Sequence, residues 1–147
     1  MSKRMLFKTK RGVPVYCTLN DNILAMWDGD VRVGSVEFEG KNGFFAPATV
    51  RIKRAENHMT SQPHTWDIVR HRGVVIPALV AWLERFHAKD TVVLIAAPSE
   101  RVRDYLLTFS FKMGPRVGSA YLMHAFVRDL ENEQYTESSV PCLCFAP

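Results

Sequence analysis

Cysteine is scarce. The 147 residues include three, Cys17, Cys142 and Cys144. An odd number without paired spacing excludes a disulfide framework as the basis of the fold. Cys142 and Cys144 have no further ligands at metal-binding spacing, and His58, His64 and His71 form no ligand pattern, so no metal site is expected. Long apolar runs are missing too, and none approaches the roughly 20 residues of a bilayer span. The opening MSKRMLFKTKRG is positively charged but has no apolar segment behind it. A secretory signal is therefore not expected, and the reading is a cytoplasmic protein without a membrane span. There is no internal repeat, low-complexity tract or linker. This leaves one domain over 1–147, with a basic N-terminal arm at 1–12 and a tail at 131–147.

What is present suits a packed domain. Hydrophobic residues make up 47% and charged residues 23% of the chain, a globular balance. Net charge is +4 and the sequence pI is about 9.1. The cations gather at Lys3, Arg4, Lys8, Lys10 and Arg11, and again at Arg51, Lys53, Arg54, Arg70 and Arg72. Such a balance favours anionic partners: phosphates, a nucleotide cofactor, nucleic acid or an acidic protein.

Apolar periodicity predicts the elements. VPVYCTL (13–19) is a short strand. ILAMWDGDVRVGSVEFE (23–39) is a hairpin around Asp28-Gly29-Asp30, where glycine supplies a positive φ. Its second strand changes phase: Val31 and Val33 share one face, Val36 and Phe38 the other. Gly34 at the break predicts a bulge. FFAPATVRIKRAE (44–56) is a long strand, with Ala48, Val50 and Ile52 alternating with Thr49, Arg51 and Lys53. NHMTSQPH (57–64) reads as a loop and TWDIVR (65–70) as a short strand.

Ile76, Leu79, Val80, Leu83 and Phe86 then fall at helical spacing. Pro77 fits the first turn of that helix. DTVVLIAAP (90–98) reads as a central strand buried on both faces. Ser99 is an N-cap candidate for a helix over ERVRDYLLTFSFKMG (100–114), with Gly114 as its stop. SAYLMHAFVRDL (119–130) is the last strand.

The quoted segments AMWDGDVRVGSVEF, VRHRGVVIPALVAWLERF and VVLIAAPSERVRDYLLTFSFKMG, in this order, resemble the GNAT N-acetyltransferase superfamily over roughly 23–128. The resemblance implies a single-domain α/β (α+β) acyl-CoA N-acyltransferase fold, with a mixed, mostly antiparallel sheet flanked by helices. It implies acetyl-CoA as cofactor and an amine as acceptor. The family's Gln/Arg-x-x-Gly-x-Gly/Ala loop holds the cofactor pyrophosphate on backbone N–H groups at a helix start, where the helix dipole also favours anions. Here the loop falls on Arg70, His71, Arg72, Gly73, Val74 and Val75. Arg70, Gly73 and Val75 hold the motif positions in one register; Arg72, Val75 and Pro77 hold them in the other.

Other family roles fall on less usual residues. The tyrosine that protonates the departing thiolate falls on Ser110, and Tyr105 lies five positions earlier. A base must accept the amine's proton near neutral pH. The candidates are Asp67, placed before the loop, and Glu37, Glu39 and Glu56. The family's two helices between its first strands have no counterpart, because only NDN (20–22) separates the segments. A second function class therefore stands beside the enzyme: a non-catalytic GNAT-like accessory protein, similar to those among phage accessory and virion proteins, acting on a protein partner. Nucleic acid ranks last, because no aromatic is interleaved with Arg51, Lys53 and Arg54.

Overall fold

A computed structural model describes residues 3–9, 12–39, 49–58 and 73–131. Eight strands form one sheet: β1 (Lys3–Lys8), β2 (Pro14–Asn20), β3 (Ile23–Asp28), β4 (Val31–Phe38), β5 (Thr49–Asn57), β6 (Val92–Ala97), β7 (Lys112–Val117) and β8 (Ala120–Phe126). The spatial order is β1-β2-β3-β4-β5-β6-β8-β7. Every neighbouring pair is antiparallel except β5 and β6, which run parallel. Among the described residues there are two helices, α1 (Val75–Phe86) and α2 (Glu100–Leu107). The fold is thus mixed α and β with a mostly antiparallel sheet, as expected.

Two tight turns build the first half. Gly29 at φ +63° turns β3 into β4, and Asp21 at φ +61° turns β2 into β3. The bulge expected beside Gly34 is present. The register moves from Met26↔Gly34 to Trp27↔Arg32, so Val33 is the extra residue. The extra residue lets Val33, Val36 and Phe38 all reach the core, while Val31 is exposed. On β5, Val50 and Ile52 are buried and Arg51 and Lys53 exposed, matching the alternation.

Helix α1 buries Ile76, Leu79, Val80 and Leu83 completely, and Phe86 partly. The buried surface is wider than the expected stripe, taking in Val75, Ala78 and Trp82. The helix touches β1, β2, β4, β5 and the 3-10 turn Val127–Asp129, so only Glu84 and Arg85 are exposed, with Ala81 and Phe86 half-buried. Helix α2 packs on β6, β8 and β7 through Val102, Tyr105 and Leu106.

Four expectations are corrected. The segment taken for a basic arm contains β1, with Met5 and Phe7 half-buried against the core and Arg4 and Lys8 exposed. β6 is sixth of eight in order and buries one face only: Val93, Ile95 and Ala97 are buried, whereas Ala96 is exposed. Both helices lie on that same face, since Val50↔Val93 and Val93↔Ala125 put the buried residues under α1 and α2 in register. Helix α2 ends at Leu107, not at Gly114. Phe111 N–H reaches Leu106 O and Ser110 N–H reaches Leu107 O, a Schellman closure with Ser110 in the left-handed position at φ +74°. Gly114 lies inside β7, where a Cβ would come within 2.8 Å of Leu122 O.

Candidate functional site

The parallel pair opens a gap. β5 and β6 pair from Thr49↔Val92 to Ile52↔Ile95. Past that point β5 stays with β4, through Glu37↔Arg54 to Gly34↔Asn57. β6 stays with β8, through Ala96↔Leu122 and Ala97↔Tyr121. The carboxyl ends of the two strands therefore part. In open α/β sheets ligands bind in the crevice outside the carboxyl ends of the strands.

Helix α1 starts at this gap. Val75 lies against Gly34, the partner of Asn57 at the end of β5; a Cβ on Gly34 would sit 2.6 Å from Val75 Cγ2 and 3.1 Å from Glu56 O. Gly73 takes φ +63° to turn the chain into the helix. The N-cap residue is Val74, whose side chain has no oxygen with which to cap, and no acid stands in the first turn. Pro77 has no N–H. The first-turn donors are thus those of Val74, Val75 and Ile76, at the positive end of the helix dipole. The Val75 side chain is 1% exposed and packs into the core, so its Cβ points at the sheet rather than at a bound anion.

A polar cluster sits at the carboxyl end of β5, where that strand pairs with β4. Ser35 and Glu56 are register partners, and His58 follows one residue past β5. Ser35 Oγ lies 2.9 Å from His58 Nε2, and Glu56 Oε2 lies 3.9 Å from the same nitrogen. Arg54 reaches Glu56 at 3.5 Å. Burial and the Arg32 guanidinium push the His58 pKa below the ordinary 6.5, with Glu56 opposing. His58 is therefore largely neutral at pH 7 and carries a ring nitrogen able to accept a proton.

Of the residues singled out from sequence, Gly73, Val74 and Val75 stand at the gap. Asp67, Arg70, His71 and Arg72 lie outside the described residues. Glu56 stands at the gap as well, whereas Glu37 lies 3.6 Å from Lys53 in an ion pair. Glu39 borders a shallow depression of about 180 Å³ with Arg51, Leu94, Ala96 and Leu122. Tyr105 is 4% exposed and meets the Phe109 ring edge-on at 5.2 Å, as a core residue. Ser110 precedes β7, which runs parallel to β6. It therefore lies toward the amino-terminal end of β6, away from the gap, and donates to Glu131 Oε2 at 3.0 Å. Ser35 and His58 were not foreseen. The phase break at Gly34 was the available signal, because the bulge residue and its neighbours set which side chain faces the end of β5.

Among the described residues no group of three His, Cys, Asp or Glu side chains is placed to hold a metal ion. No described helix is long and apolar enough to cross a membrane. In comparisons with known proteins the chain matches no family model, no curated protein and no solved structure.

Proposed function

We propose that this chain is an acyl-CoA-dependent N-acyltransferase of the GNAT kind, with its thioester cofactor lying between the parted ends of β5 and β6. One observation carries the reading. The sheet's parallel pair separates after Ile52 and Ile95, and the helix joining those strands begins beside the opening with backbone donors that its N-cap residue leaves uncapped. The pyrophosphate of acetyl-CoA suits those donors, with Arg70 and Arg72 supplying charge. The amide-bearing arm of the cofactor suits the unpaired strand edges, as an added strand would.

The acceptor amine then attacks the thioester carbonyl carbon. His58 takes up its proton as general base, Glu56 at 3.9 Å favouring the imidazolium that forms, and the Asp67 carboxylate expected from sequence is the other candidate for that role. The carbon–sulfur bond breaks and the CoA thiolate leaves. Calorimetric titration with acetyl-CoA and with desulfo-CoA tests the reading. Charge-assisted contacts contribute about 1.5–3 kcal/mol each, so Arg70→Ala/Arg72→Ala should weaken binding by at least about tenfold. No binding by the wild type at millimolar cofactor overturns it.

The second reading, a non-catalytic GNAT-like accessory protein, is favoured by the hydroxyls. Tyr105 is a core residue and Ser110 a helix-end residue, so neither stands ready to protonate a leaving thiolate. Cofactor binding without transfer to any amine would select this reading.

A further inference from the structure

The sheet face that no described helix covers has its own chemistry. Strand register sets Arg51, Leu94, His124 and Lys112 in one row across β5, β6, β8 and β7. Three strand spacings of about 4.8 Å make that row about 14 Å long. The adjacent row is Thr49, Val92 and Phe126. Phe126 is 39% exposed, and the Arg128 guanidinium stacks 4.2 Å from its ring centroid. Lys112 and Arg128 are exposed and have no carboxylate within ion-pair distance among the described residues. Across the sheet the pattern recurs with Arg4 over Tyr16 at 5.8 Å. An aromatic ring and a guanidinium thus sit together beside the row of Arg51, His124 and Lys112.

We propose that this open face, over β5, β6, β8 and β7, binds single-stranded nucleic acid. Lys112 and Arg128 can track a phosphate backbone, and an exposed ring beside a guanidinium plane stacks on an unpaired base. A duplex offers no free base face to Phe126, and a shallow sheet surface does not enter a groove. The charge argument alone would also admit an acidic protein; the exposed Phe126–Arg128 stack favours the nucleic acid. The Phe126–Arg128 stack lies at the amino-terminal end of β6, where Phe126 pairs with Val92, whereas the gap opens at the carboxyl end, so the stack stands whether or not CoA binds there.

Fluorescence anisotropy with a labelled oligothymidylate, the same strand annealed to its complement, and polyglutamate provides the test. The single strand should bind most tightly. Phe126→Ala should weaken it by about tenfold, whereas Phe126→Trp should retain binding. Lys112→Ala/Arg128→Ala should reduce the magnitude of the log-affinity against log-salt slope by about 1.4, two phosphate contacts at about 0.7 each. Thermal melts confirm folding, and unchanged acetyl-CoA titration of the double variant separates this result from that of the proposed function. Equal affinity for duplex, equal affinity for polyglutamate, indifference to Phe126→Ala in a folded protein, or no binding at low salt each overturns the proposal.

Discussion

An alanine at position 34 has no room. Its Cβ would sit 2.6 Å from Val75 Cγ2 and 3.1 Å from the Glu56 carbonyl. Gly34→Ala should destabilise the protein by about 1–3 kcal/mol in urea denaturation, as overpacking does. Adding Val75→Ala should recover part of that loss beyond additivity, because the two sites share one contact. Ser110 presents the opposite case. It holds a left-handed backbone that costs an L-residue roughly 1–2 kcal/mol. Ser110→Gly should raise stability by about 0.5–1 kcal/mol after the added unfolded-state freedom is counted, since the hydrogen bond it removes is exposed. His58 offers a pH test. Its NMR titration midpoint should lie below 6.5, rise in Arg32→Ala and fall further in Glu56→Gln, following the signs of the two charges. A midpoint above 6.5 in the wild type would contradict this arrangement.

Helix α1 ties the sheet together. Leu83 is fully buried at its centre, so Leu83→Ala should cost about 2–5 kcal/mol. A loss below about 0.5 kcal/mol, within the usual range for surface substitutions, would mean that this face is not packed. The helix was legible from sequence because five apolar residues fall at one spacing and Pro77 can stand only in a first turn. Strands β2 to β5 were legible from alternation and from Gly29 and Gly34. β1 was not, because its inward residues, Met5 and Phe7, are framed by cations that read as a solvated arm. β7 was hidden as well: KMGPRV has the glycine of a helix stop, and only the closure at Ser110 shows that the helix has already ended. Gly73 to Val75 could be read as a helix start. The Ser35–His58 contact could not, since the two are 23 positions apart and meet only through strand register.

The described helices cover one sheet face and leave the other, which divides the chemistry of the molecule. The covered face holds Cys17, 0% exposed, with its thiol pushed up to about 12 by burial. Thiolate is the reactive form, so Cys17 should resist thiol reagents in the native state. Mass spectrometry of its peptide should show labelling only at the rate of opening, accelerating through the unfolding transition. Rapid labelling under native conditions would show that β2 detaches on its own. The uncovered face carries the stacked arginines, and their placement depends on all eight strands being in register.

The short parallel pairing has a consequence for assembly. Strands β1 to β5 follow one another as neighbours and can form from local hairpins. β6 arrives only after α1 has crossed the sheet, and it joins β5 over four residue pairs. Until then β5 presents a bare edge, and non-local pairing of this kind is slow. A second copy carries an identical β6 with an identical claim on that edge. Exchange of α1 to β8 between two chains would rebuild every contact of the monomer, as domain swapping does. Refolding at rising protein concentration should therefore divert chains into dimers, visible by size exclusion, while dilute refolding returns the monomer.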